Sequence, residues 1–186
     1  MLLAGMVLAA AGCPARAALP PGGTFFDDDR GYAEPSVEAV AAAGITRGCA
    51  PGRYCPNRPV TRAETAALLV RSLGKVPLAA ASGRFPDVPV DAWFAPFVET
   101  AADLGIVVGD AGGRFRPADP LTRAEMAAVL VRAFPALEPP GRAPGAFADV
   151  DPAAWYAPAV AELAGRGLTV GCSREPLRYC PDEPVS

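Results

Sequence analysis

Histidine is absent from all 186 residues. Its absence removes Ser-His-Asp and Cys-His catalysis and most transition-metal sites together. Lysine is almost absent as well: Lys75 stands alone, and every other cation is an arginine. With a net charge of −3 and no basic block, the chain offers no electrostatic case for nucleic acid. Carboxylates are plentiful, but no Asp or Glu pair sits in an apolar setting that would separate two pKa values for acid–base work. The run Asp27-Asp28-Asp29 lacks the ligand spacing of a calcium loop and reads as a solvated turn. Tryptophan occurs only at Trp93 and Trp155.

What the chain has is an internal repeat. The string PVTRAETAALLVRSL from Pro59 returns as PLTRAEMAAVLVRAF from Pro120, and a third copy begins again at Pro184-Val185-Ser186. The period is roughly 60 residues, long enough for one helix–loop–helix unit. Tyr32, Trp93 and Trp155 align, each with a proline three residues on (Pro35, Pro96, Pro158). The glycines Gly44, Gly105 and Gly167 align next, then Gly48, Gly109 and Gly171. Tyr54, Phe115 and Tyr179 follow, each after an arginine, and Thr61, Thr122 and Ser186 close the match. Each copy opens on Phe-x-Asp, at Phe25, Phe85 and Phe147. The third copy has two extra loop residues and reaches only the start of its second helix.

Residues 1–18 read as an export signal: Leu2 to Ala11 is apolar but too short to span a bilayer, and Ala15-Arg16-Ala17 suits cleavage. No basic n-region precedes it. A rival reading takes Ala10-Ala11-Gly12-Cys13 as a lipoprotein box with Cys13 acylated, although leucine is missing from its usual place. The mature chain has no transmembrane segment on either reading. Four cysteines remain, as GCAPGRYCP and GCSREPLRYCP in copies one and three. Each pair brackets a short loop, so Cys49–Cys55 and Cys172–Cys180 is preferred among the three connectivities. Free thiols in a reducing compartment, or a four-cysteine zinc site joining copies one and three, are the alternatives. Copy two has Asp110 and Arg116 at the cysteine positions, and an ion pair would close the same loop.

Each unit begins with a short helix whose first turn holds the proline, where a missing N–H costs nothing. Its apolar face is Val37, Val40 and Ala41; Val98, Ala101 and Ala102; or Val160, Leu163 and Ala164. The helix ends at Gly44, Gly105 or Gly167, and Ile45, Ile106 and Leu168 continue the apolar face. The loop aromatic reads as a plug. The second helix opens with a capping box, Thr61 with Glu64 and Thr122 with Glu125. Its stripes are Ala66, Leu69, Val70 and Leu73, and Ala127, Leu130, Val131 and Phe134. Such short helices are marginal alone, so the units must pack on one another. The expected organisation is a leader 1–18, repeats 23–73, 85–134 and 147–186, and linkers 74–84 and 135–146.

The pattern Phe-x-Asp-Val…Trp…Gly-Ile…Gly…Gly-x-Phe-x-Pro…Pro-x-Thr-Arg-Ala-Glu-x-Ala resembles the S-layer homology domain. Copy two matches from Phe85 to Phe134; copy one carries Tyr32 for the Trp and Asp28 for the Val; copy three matches from Phe147 onward. The resemblance implies an all-α, pseudo-threefold assembly of tandem helix–loop–helix repeats, here with the third incomplete. It implies a non-catalytic, cofactor-free module of exported proteins, anchoring them at the cell surface to cell-wall polysaccharide or a peptidoglycan-associated polymer, often pyruvylated. Carried onto this chain, it makes Arg62 and Arg123 groove arginines for a carboxylate. Trp93 and Trp155 would be sugar platforms on the resemblance, although a core plug is the preferred reading of the residues themselves. Asp87 and Asp149 would accept sugar hydroxyls or cap a helix, and Gly48 and Gly109 would admit backbone close to the ligand. The cysteine loops depart from the family pattern. A protein-interaction scaffold, or the N-terminal part of a wall-active hydrolase whose catalytic domain lies beyond Ser186, are the alternative functions.

Overall fold

The computed structural model describes residues 23–28, 31, 33–79, 82–135 and 147–186. The expected leader 1–18, Cys13, Tyr32, Asp29 and nearly all of the linker 135–146 lie outside the described residues. Among the described residues five helices follow in order: α1 (Glu34–Ala42), α2 (Arg62–Ser72), α3 (Ala95–Asp103), α4 (Arg123–Ala133) and α5 (Ala157–Gly165). One antiparallel hairpin, β1 (Ser173–Arg174) with β2 (Leu177–Arg178), lies in the third loop. It accommodates that loop's two extra residues. The architecture is all-α, as the repeats imply.

The first helices α1, α3 and α5 have no side-chain cap and place proline at their second position. They end alike. Gly44, Gly105 and Gly167 take φ of +70°, +71° and +70°, which only glycine adopts without strain. The next N–H then turns back onto the last turn: Ile45 to Val40 O, Ile106 to Ala101 O and Leu168 to Leu163 O, each 2.9 Å. Leu168 does not continue the apolar face, however; it is exposed, whereas Ile106 is buried.

The second helices carry complete capping boxes. Thr61 Oγ1 accepts from Glu64 N (3.2 Å) while Thr61 N donates to Glu64 Oε2 (2.9 Å), and Thr122 and Glu125 do the same. The remaining orphan donors of each helix start are satisfied by the following repeat. Arg62 N and Ala63 N donate to Asp119 O and Pro117 O; Arg123 N and Ala124 N donate to Glu183 O and Pro181 O.

Immediately before these caps the three copies meet. Leu121 N donates to Val60 O (2.9 Å), Val185 N to Leu121 O (2.9 Å) and Val60 N to Val185 O (2.7 Å). Three equivalent residues thus form a closed backbone ring around a pseudo-threefold centre. Packing follows the same cycle, with α2 against α3 and α4 against α5, so each second helix leans on the next repeat's first. The larger core joins repeats one and two through Ala66, Val70, Val98, Ile106, Phe115 and Leu121. A smaller one gathers Phe147, Val160, Leu163 and Tyr179 around Ala127. Leu130 packs on both cores. The buried face of α4 is Ala124, Ala127, Ala128, Val129 and Ala133, with Leu130, Val131 and Phe134 half-buried. That face is rotated from the expected stripe because α4 is covered from two sides.

Two buried carboxylates tie the repeat entries down. Glu38 accepts from Thr24 N, Thr24 Oγ1 and Phe25 N, and Glu99 from Ser82 N, Ser82 Oγ, Gly83 N and Arg84 N. Burial alone would raise both pKa values, but the converging N–H and O–H donors outweigh it and hold them below the ordinary value. The end of the 74–84 segment is therefore pinned to α3.

Candidate functional site

The loop between the two helices is built the same way in every repeat, around the opening acid. Asp27 accepts from Tyr54 N and Cys55 N, Asp87 from Phe115 N and Arg116 N, and Asp149 from Tyr179 N and Cys180 N, all at 2.6–2.9 Å. The second donor of each pair belongs to a residue at positive φ: Cys55 (60°), Arg116 (57°) and Cys180 (57°). The carboxylate thus secures a left-handed turn that a non-glycine residue would otherwise resist. Desolvation raises these aspartate pKa values, yet the paired amide donors lower them further, so all three lie below the ordinary carboxylate. Asp87 and Asp149 cap no helix. Their carboxylates hold the loop backbone.

Gly48 and Gly171 are required by the same loop. A Cβ at Gly48 would lie 2.1 Å from Arg53 O and 2.6 Å from the Phe25 ring; at Gly171 it would lie 2.3 Å from Arg178 O and 2.7 Å from Phe147. Gly109 is looser, with Phe85 at 3.1 Å. Close approach is therefore to the loop's own carbonyl and the opening phenylalanine. The disulfides Cys49–Cys55 and Cys172–Cys180 close the first and third loops with Cα separations of 6.0 and 6.1 Å. In the second loop Arg116 Nε lies 3.6 Å from Asp110 Oδ2. The backbone bond beside each closure is identical: Cys49 N to Arg53 O, Asp110 N to Arg114 O and Cys172 N to Arg178 O, each 2.8 Å.

The arginines of the Thr-Arg-Ala-Glu segments cross into the following repeat. Arg62 donates to Phe115 O (2.8 Å), Val108 O (3.3 Å) and Glu125 Oε1 (2.6 Å), and its guanidinium lies over the Phe115 ring. Its side chain is only 12% exposed. Arg123 donates through Nε to Tyr179 O (2.7 Å) and stacks on the Tyr179 ring at 4.8 Å. The tryptophans, by contrast, are not core plugs. Trp93 and Trp155 are 59% and 63% exposed, resting edge-on against Phe94 and Tyr156. The loop aromatics Phe115 and Tyr179 fill the core instead.

Arg62 and the two tryptophans border two grooves in pseudo-equivalent places. One, of about 270 Å3, runs along the second repeat's loop and α4, with Arg62, Gly109, Asp110, Arg116, Glu125 and Arg132 in its walls and Trp155 of the third repeat at its edge. The other, of about 450 Å3, runs along the first repeat's loop and α2, with Arg47, Gly48, Arg58, Glu64 and Arg71 in its walls and Trp93 of the second repeat at its edge. Arg123, Asp87 and Asp149 border neither groove. Sequence reasoning missed Arg47, Arg71 and Arg132. For the last two a signal existed, because they recur at one repeat position; Arg71 Nη1 reaches Ile45 O and Arg132 Nη1 reaches Ile106 O.

Among the described residues no cluster of His, Cys, Asp and Glu suits a metal beyond Cys172, Cys180 and Glu183, and both cysteines there are in a disulfide. Among them, too, no helix is long and apolar enough to cross a membrane.

The family model for the S-layer homology domain matches residues 25–66, 84–127 and 146–171. An amylopullulanase of Thermoanaerobacterium thermosulfurigenes is 39% identical over 111 residues, 60% of this chain and 6% of that protein. The surface-layer 125 kDa protein of Lysinibacillus sphaericus is 34% identical over 109 residues, 59% of this chain and 9% of that protein. The middle cell wall protein of Brevibacillus brevis is 37% identical over 104 residues, 54% of this chain and 10% of that protein. The chain thus matches a small part of each relative's length. With three matched segments, one in each repeat and the third the shortest, the chain belongs to the S-layer homology domain family.

Proposed function

We propose that this chain is a non-catalytic anchoring module of an exported protein, binding a negatively charged cell-wall polysaccharide in the grooves between repeats. The observation that carries the reading is the pair of grooves itself. Each joins arginine-bearing walls to an exposed indole from the following repeat. An exposed indole is a platform for the apolar face of a sugar ring, and guanidinium groups take carboxylates through paired donors. Surface-layer and wall proteins stand beside a polysaccharide hydrolase among the relatives, which suits a module shared for attachment. A pyruvyl ketal on the polymer would supply the carboxylate, with Arg62 fixing the edge of the second-repeat groove through its interrepeat contacts.

Trp93→Ala combined with Trp155→Ala tests this directly. Both side chains are exposed, so stability should change by no more than about 0.5 kcal/mol each. Cosedimentation with purified cell wall should be lost, and walls stripped of pyruvyl groups should bind the unaltered chain more weakly. Full wall binding by the double variant would remove the grooves from the site.

A further inference from the structure

The two grooves differ at one position that changes their chemistry. Arg47 lies in the wall of the first-repeat groove; its equivalent in the second repeat is Val108 and in the third Val170. Arg71, on α2, faces the same space. It is held by its bond to Ile45 O and by stacking on the Phe97 ring at 4.8 Å. Among the described residues no carboxylate lies within ion-pair distance of Arg47 or Arg71, whereas Arg58 in the same groove is neutralised by Glu64. The side chains of this groove therefore carry three cations against one anion. The second-repeat groove has Arg62, Arg116 and Arg132 against Asp110 and Glu125, with Arg62 paired to Glu125 and Arg116 to Asp110. Burial first, and then the charge of Arg47, pull the Arg71 guanidinium below its ordinary pKa, so the two cations repel across the groove.

Two like charges lining one groove without a counter-ion are relieved by a ligand bringing two negative charges. Guanidinium pairs match phosphate oxygens in planar, bidentate geometry, and Trp93 stands at the same groove to take a sugar face. Building on the wall-polysaccharide reading, we propose that the first-repeat groove binds a phosphorylated sugar unit, its dianion between Arg47 and Arg71 and its ring on Trp93, while the second-repeat groove takes a singly charged unit. One chain then reads two differently charged positions of a polymer.

The two indoles allow each groove to be followed alone in the full chain. With Trp155→Phe, Trp93 fluorescence reports the first-repeat groove; with Trp93→Phe, Trp155 reports the second. In the first background a hexose 6-phosphate should bind at least ~10-fold more tightly than a hexuronate or inorganic phosphate, a difference of about 1.4 kcal/mol. Arg47→Ala should erase that preference by weakening hexose 6-phosphate binding more than hexuronate binding. In the second background no preference is expected until Val108→Arg introduces one. Equal affinity for hexose 6-phosphate and hexuronate, or a preference that survives Arg47→Ala, would overturn the proposal while leaving the polysaccharide reading intact. Inorganic phosphate binding as tightly as the sugar phosphate overturns the sugar component. If neither indole responds to any sugar or to wall fragments, the polysaccharide reading falls and this proposal with it.

Discussion

Arg62 carries a consequence that its place in the sequence conceals. A capping box accounts for Thr61 and Glu64 and leaves the residue between them apparently free for a ligand. Its partners Phe115 O and Glu125 lie 53 and 63 residues away, beyond any local pattern. Because the guanidinium is largely buried and bonded to three groups, Arg62→Ala should destabilise the fold by roughly 2–3 kcal/mol, measurable by urea unfolding. A variant as stable as the parent would mean these bonds contribute nothing net. Glu125 follows from the same contact. It caps α4 and also pairs with Arg62, whereas Glu64 caps α2 and pairs with the more exposed Arg58. Glu125→Ala should cost about 0.5–2 kcal/mol for the cap alone, and more than Glu64→Ala in parallel melts. The opening aspartates repeat the lesson: their position was legible, but not that both carboxylate oxygens face backbone amides some 28 residues on.

At the scale of the element, the repeat period exposed most of the fold, because proline starts, glycine ends and capping boxes are local chemistry. The pairing of α2 with α3 and of α4 with α5 was not legible. Apolar spacing defines a face but not its neighbour, and α4, covered from two sides, buries a wider set than a single stripe. The loops were legible through their cysteines, and the structure gives the second loop the same closure in ionic form. Shared backbone bonds and near-identical positive φ at Cys55, Arg116 and Cys180 make the closures interchangeable. Asp110→Cys with Arg116→Cys should therefore form a third disulfide on air oxidation, seen as the loss of two titratable thiols. In the chain-entropy description this should raise stability by about 2–3 kcal/mol. Two persistent free thiols would show that the ends do not meet.

For the whole molecule, the carboxylates that accept backbone N–H groups set the response to acid. Asp87 and Asp149, with ordinary values near 3.8, and Glu38 and Glu99, with ordinary values near 4.5, are all depressed in the fold. In acid the unfolded chain binds protons that the fold resists. Their stabilisation is complete above the ordinary values and is lost as pH falls through the depressed ones. Melting temperature should therefore hold from about pH 7 to pH 5 and drop steeply below about pH 4. Glu99→Gln should lower the neutral-pH melting temperature and narrow the gap between neutral and acid; an unchanged acid limb would show that Glu99 does not contribute to it. The ring of Val60, Leu121 and Val185 has a different kind of consequence. An open stack of repeats offers a free edge at each end, where another unit can continue the pattern. Here each unit donates once and accepts once within the circle, so a fourth copy placed in tandem would find no vacancy. The fold counts to three, and a chain that needs more of it must acquire another circle.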